Sequence, residues 1–283
     1  MRAVSVDHYE NFPVASWLCP RRLRPAVASI YWYARTADDL ADEGSHSREQ
    51  RLLDLSAYRA ELQAAANGRS ADRPRWHGVF EPLRRTLQAH RLPLDAFTDL
   101  LSAFEQDTGN PLYQDRAELL DYSRRSANPI GRLLLSLYGV DDTRSLQQSD
   151  AICSALQLVN FWQDLSVDSA RGRCYVPLAD ARLHGVDVGL LKPGADTPAT
   201  RALVASLCDW SEALMRSGAP LALRLPGRFG WELRLVVQGG LGILEKIRRM
   251  NHATLTHRPT LTGRDAPRLL ARAIGMSFSG RTA

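Results

Sequence analysis

Tyr31-Trp-Tyr-Ala-Arg35-Thr-Ala-Asp38-Asp39-Leu-Ala-Asp42-Glu43-Gly44 is the stretch on which the fold reading turns. Pro25 suits a first helical turn and no breaker follows before Gly44, so a helix is predicted from about Leu23 to Asp42. At about 100° per residue, Tyr31, Arg35, Asp38 and Asp42 share one narrow arc, with Asp39 at its edge. One face therefore carries an aromatic, a cation and carboxylates in line. Acids at a helix C-terminus oppose the macrodipole, at a cost of about 0.3–1 kcal/mol each. A solvated helix end and a cation site both fit this cluster taken alone. A second acidic face would separate the two readings.

That second face lies between Ser145 and about Asp168, predicted as one long helix. Gln157, Asn160, Asp164 and Asp168 fall within about 80° of one another on it. Arg171-Gly-Arg173-Cys-Tyr175-Val-Pro177 follows as a basic, turn-rich loop. If the two helices face each other across a cavity, their side-chain oxygens converge. Oxygen-only donors favour Mg²⁺, with Mn²⁺ also compatible, over zinc. Mg²⁺ usually completes its shell with substrate phosphate, so a diphosphate is the expected ligand. Arg35, Arg171 and Arg173 are candidates to grip it, and an apolar cavity between helices would take a hydrocarbon tail. The chemistry expected is ionisation of an allylic or cyclopropylcarbinyl diphosphate, with metal and arginine stabilising the departing charge. Phe12, Tyr31, Tyr122, Phe161 and Trp162 are candidate π faces for the cation left behind. Most aromatics in any helical protein are core, which is the competing reading for each.

The remaining chain agrees with an all-α class. Ser47-Arg-Glu-Gln50 looks like a capping box before a helix to about Ala66. Further helices are predicted near 76–89, 94–107, 117–138, 200–216, 229–250 and 266–273, with 183–197 mostly loop. Pro129 and Gly131 should break or kink the third of these, and Gly239, Gly240 and Gly242 should weaken the middle of another. Asp107 is taken as a helix-end residue rather than a third acid of the site. No alternation of strand type, no repeat and no linker is visible, so residues 1–283 are expected to form a single domain.

Composition narrows the classes further. No apolar run approaches the roughly 20 residues of a membrane span, and the N-terminus lacks the apolar core of a secretory signal. A cytoplasmic protein is expected, at most peripheral at the inner membrane. Cys19, Cys153, Cys174 and Cys208 are too scattered for a metal pattern and read as free thiols. The net charge of +5 is almost wholly arginine, spread along the chain rather than massed, which argues against nucleic acid. No dinucleotide fingerprint is present, so no NADPH use is expected.

Tyr33-Ala-Arg35-Thr-Ala-Asp38-Asp39-Leu-Ala-Asp42-Glu43, Gln157-Leu-Val-Asn160-Phe-Trp-Gln163-Asp164-Leu-Ser-Val-Asp168 and Arg171-Gly-Arg173-Cys-Tyr175-Val-Pro177 together resemble the squalene/phytoene synthase family. The resemblance runs from about His8 to Pro259. It implies the isoprenoid synthase helical bundle, with a central cavity between two acidic helices, and Mg²⁺-dependent handling of prenyl diphosphates. By position, Asp38, Asp42, Asn160 and Asp164 resemble the family's metal ligands, with Asp39 and Asp168 in support. Arg35, Arg173 and Tyr175 resemble its diphosphate-binding residues, and Tyr122 the tyrosine of its central motif. His8-Tyr-Glu-Asn-Phe12-Pro-Val-Ala-Ser and Arg125-Ser-Ala-Asn128-Pro129-Ile-Gly131-Arg most resemble the hydroxysqualene synthase branch of bacterial hopanoid biosynthesis. That branch turns presqualene diphosphate into hydroxysqualene, between a presqualene diphosphate synthase and a separate reductase.

Three departures from head-to-head synthases agree with this branch. Gln163 stands where many relatives have arginine, Gly239-Gly240 where many have tyrosine, and Ala127-Asn128-Pro129-Ile-Gly131 where Ala-Gly-x-Val-Gly is usual. Gln163 or Asn128 is a candidate to position the water that captures the cation. Two rivals stand beside this reading: a head-to-head prenyl synthase sharing every metal ligand, and a non-catalytic helical assembly protein.

Overall fold

Acidic residues at the C-terminal end of the first helix need a counter-charge, and the second helix supplies one. In the computed structural model, which describes residues 18–279, α1 spans Arg24–Asp42 and α2 spans Arg48–Ala66. Arg51 of α2 donates to the carbonyls of Ala41 at 2.6 Å, Gly44 at 2.9 Å and His46 at 3.2 Å. A guanidinium thus caps the end of α1, which offsets the dipole and ties α2 to the acidic segment. Ser47 caps α2 by accepting from the Gln50 amide at 3.3 Å.

Then come α3 (His77–Ala89), α4 (Leu94–Asp107), α5 (Arg116–Ser126) and α6 (Asn128–Leu137). Tyr33, Tyr58, Phe80 and Phe97 interlock in the core formed by α1 to α4, and the Tyr33 hydroxyl donates to the Phe97 carbonyl at 3.0 Å. This packing orients α1, whose opposite face carries Arg35, Asp38 and Asp42. α7 (Thr143–Gln163), α8 (Leu165–Ala170), α9 (Leu178–Leu183), α10 (Pro198–Gly218), α11 (Leu221–Arg224), α12 (Gly227–Arg249) and α13 (Ala266–Ser279) complete the molecule. No strand occurs among the described residues, and the class is all-α.

Several boundaries differ from expectation, each for a physical reason. The chain bends between α5 and α6 at Ala127, and α6 restarts at Asn128 with Pro129 in its first turn, where no amide is needed. Gly131 therefore sits inside a helix. A Cβ there would meet Cys153 Sγ of α7 at 2.6 Å, so the glycine serves close helix packing. α12 runs unbroken through its glycines for the same reason: a Cβ on Gly240 would meet Met215 at 2.7 Å and one on Gly242 would meet Leu269 at 3.2 Å. Packing overrides the weak helix propensity. The short α9 and α11 fall where no helix is predicted, and α13 extends six residues beyond the predicted Ala273. The expected helix to Asp168 is two helices, with Asp164 as the joint.

Candidate active site

The joint at Asp164 decides how the second acidic face is presented. Its backbone (φ −99°, ψ 12°) leaves α-helical values, and its amide closes α7 on the Asn160 carbonyl at 2.8 Å. Asp164 accepts from Arg258 Nε at 2.5 Å and Nη2 at 3.3 Å. Asp168, one turn on, is held near its neighbour's charge. Burial, then the Asp164 carboxylate, pushes its carboxyl up to about 7.

The first face reaches the second through the basic loop. Arg173 pairs with Asp42, and Arg171 lies 3.7 Å from the same carboxylate. Arg35 spans its own helix to Asp38 at 3.4 Å, Asp39 at 2.5 Å and Glu43 at 2.7 Å. Burial raises the carboxyls of Asp38 and Asp39 above the ordinary range, against the pull of Arg35.

Asp107, expected to be a mere helix end, belongs to this site. It lies at the end of α4 and accepts from the Tyr122 hydroxyl at 2.9 Å. Its other oxygen is buried with no hydrogen-bond partner among the described residues. Burial pushes the carboxyl up to about 7, with the negative charge of Asp38 adding to the rise. The signal that would have found it is its neighbour pattern: an acid closing an apolar helical face just before Gly109-Asn110-Pro111. Arg258 was missed because it lies in a loop far from either motif. Only the fold brings it to Asp164.

The aromatic residues divide. Tyr175 stacks on Phe161 with centroids 3.9 Å apart, and Tyr122 and Tyr113 complete a cluster beside Asp107. Tyr31 is half-exposed beside Trp32 on the acidic face of α1. Trp162 is fully buried and donates to Ser211 at 2.7 Å, so it is core. Phe12 lies outside the described residues. The two candidate water-positioning residues have other engagements. Gln163 is buried and donates to the Pro259 carbonyl at 2.8 Å, anchoring the loop that carries Arg258. Asn128 is buried and accepts from Ser154 at 2.8 Å, joining α6 to α7. Half-buried Asn160 sits one turn before Asp164.

Two cavities open along the helices that carry these charges. A polar one of about 660 Å³ is lined by Asp42, Asp107, Arg171 and Arg173. An apolar one of about 90 Å³ is lined by Val27 of α1, Ile130 and Leu134 of α6, and Ser149, Cys153 and Leu156 of α7. Val27 precedes Asp38 by eleven residues, and Cys153 precedes Asp164 by eleven, in each case on the acidic arc. Each helix thus runs from apolar wall to carboxylate over about 16 Å. The apolar space holds roughly three waters' volume, so a long tail would require its leucine side chains to move.

The donor set fits a hard divalent cation. It is all oxygen, it includes an orphaned buried carboxylate oxygen, and burial raises the carboxyls of Asp38, Asp39, Asp107 and Asp168. Among the described residues, no three acids converge closely enough to hold a metal ion.

The squalene/phytoene synthase family profile matches residues 6–265. The chain belongs to the squalene/phytoene synthase family. It is 34% identical to hydroxysqualene synthase from Rhodopseudomonas palustris over 83% of this chain and 78% of that one. It is 30% identical to phytoene synthase from Thermus thermophilus over 94% of this chain and 88% of that one. Among solved structures it resembles squalene synthase HpnC from Alicyclobacillus acidocaldarius, with a TM-score of 0.78 and 38% identity over 87% of this chain and 90% of that one. The fold is that of the isoprenoid synthases, and this member of the family is an enzyme.

Proposed function

We propose that the enzyme converts presqualene diphosphate to hydroxysqualene with Mg²⁺. The observation that carries this reading is the ring of acid–arginine pairs, Asp42 with Arg173 and Asp164 with Arg258, at the ends of two helices that also wall an apolar cavity. Likeness to hydroxysqualene synthases supports the choice of product. Asp38, Asp42, Asn160 and Asp164 would hold the metal, with Asp39, Asp107 and Asp168 in support. Bound Mg²⁺ would supply Lewis-acid stabilisation of the diphosphate's charge.

The protein's own groups then have definite work. Arg35, Arg171, Arg173 and Arg258 turn from carboxylates to phosphate oxygens, keeping a charge-assisted partner throughout. The C–O bond breaks and its electron pair leaves with the diphosphate. The stacked rings of Phe161 and Tyr175, with Tyr122, face the cation with π density. Water adds, a proton is lost, and an alcohol results. No hydride is consumed, so NADPH has no place in the step. A presqualene diphosphate synthase would supply the substrate, and a reductase would consume the product.

Likeness to phytoene synthase keeps head-to-head condensation as the second reading. Purified enzyme given presqualene diphosphate and Mg²⁺ is expected to release hydroxysqualene, whereas farnesyl diphosphate alone is expected to be inert. Turnover of farnesyl diphosphate with no action on presqualene diphosphate would select the second reading.

Peripheral membrane contact forms part of the proposal. No described helix is long and apolar enough to cross a bilayer. On α13, however, Leu270 and Ile274 stand one turn apart and are 49% and 43% exposed. An apolar ridge of this kind can enter the headgroup boundary. The protein is expected to sediment with phospholipid vesicles, and L270E/I274E to lose most of that binding; a wild-type protein left in the supernatant rules the contact out.

A further inference from the structure

The polar cavity extends beyond the carboxylates to a mouth formed by α2 and the end of α4, where Glu43, Arg48, Arg51, Thr108 and Asn110 line it. Of its four arginines, three are committed. Arg51 is bound to three carbonyls, and Arg171 and Arg173 lie against Asp42. Arg48 differs. It is exposed in the first turn of α2, and its guanidinium has neither ion pair nor hydrogen bond among the described residues. It reaches across the mouth toward α4: Nη2 lies 3.3 Å from the point where a Cβ on Gly109 would stand. Glycine at that position leaves the guanidinium its room.

We propose that Arg48 is an outer contact for the diphosphate group, met before the inner arginines on the way in or after them on the way out. An anion in the mouth meets Asp42 and Glu43, each already paired with an arginine, and Asp107, which is bonded to Tyr122. Among the cavity's arginines, Arg48 alone is tied into no ion pair or hydrogen bond among the described residues, its charge acting on the adjacent Glu49. Its planar fork can take two phosphate oxygens at once. The anion could be the substrate's headgroup or the free diphosphate that leaves with the bond pair. The identity of the anion, though not the presence of an anion contact, rests on the function proposed above.

The test titrates inorganic diphosphate with Mg²⁺ into the full-length protein by calorimetry. R48Q is expected to bind about five- to tenfold more weakly than wild type, and R48K to recover part of the loss. R69Q removes the same charge from an exposed turn after α2 and is expected to bind like wild type. Melting temperatures are expected to match. Kinetics then separate the two sources. A parallel fall in kcat/KM assigns Arg48 to the substrate headgroup as well, whereas weaker product inhibition at constant kcat/KM assigns it to release. Diphosphate binding by R48Q as tight as wild type, or equal losses in R48Q and R69Q, overturns the proposal. The titration needs no turnover, so inertness toward presqualene diphosphate would defeat the proposed reaction without touching this contact.

Discussion

Asp164→Asn is expected to lower turnover by about 10³-fold while leaving the fold intact. Asn keeps the size of the side chain and one oxygen, so the bend between α7 and α8 has no steric reason to change. What is lost is the negative charge, at the point where the proposed metal site meets Arg258. Removing a charged ligand from a site whose role is to stabilise departing negative charge costs several kcal/mol in the transition state, which is on the order of 10³ in rate. The stability effect is smaller. Both partners of the Asp164–Arg258 pair are about 29% exposed, so solvent screening keeps the pair's contribution to about 1 kcal/mol or less. Rate and stability therefore part company in this variant. Single-turnover rates against Mg²⁺ concentration, alongside urea unfolding, measure both. A rate within tenfold of wild type at saturating Mg²⁺ would remove Asp164 from the site.

The acidic faces were legible because helical periodicity turns sequence spacing directly into geometry. Asp38 and Asp42, or Asn160 and Asp164, are neighbours in space whatever the tertiary fold. The same rule placed α1 and α4 almost to the residue. It failed where tertiary contacts decide. Glycines read as helix breakers proved to be contact points, since α6 meets α7 at Gly131 and α12 meets α13 at Gly242. Gln163 and Asn128 stood out as departures from the family pattern, yet the fold turns their side chains to the Pro259 loop and to Ser154. Sequence spacing carries no information about such directions when the partner is ninety-six residues away. Arg258 and Asp107 were hidden for the converse reason. Neither lies in a periodic motif with its partner, and only chain crossing brings Arg258 to Asp164 and Tyr122 to Asp107.

Asp107 gives the other large effect, and its sign is opposite to that of an ordinary ion-paired acid. Burial lifts its carboxyl from 3.8 to about 7, and the charge of Asp38 adds to the rise, while Tyr122 and Arg125 pull it back. Between about pH 4 and pH 7 the folded protein therefore binds a proton that the unfolded chain has released. Stability must fall as pH rises through that window, because the folded state then has to ionise a buried group. Below about pH 4 both states are protonated and the penalty is absent. Above about pH 7 it is complete, on the order of a few kcal/mol. Asp107→Asn removes the ionisation but keeps an oxygen to accept from Tyr122. At pH 8 the variant is expected to be more stable than wild type by on the order of 2 kcal/mol in urea unfolding, with the difference gone near pH 4. Asp168, pushed up to about 7 by burial and by Asp164, gives a second slope of the same sign that persists in the variant. The informative quantity is thus the difference between the two stability curves. Parallel curves from pH 4 to pH 8 would mean that Asp107 ionises without penalty. A converging pair would mean that the apo enzyme holds a carboxylate at a real cost in stability, as expected of a group that awaits a cation.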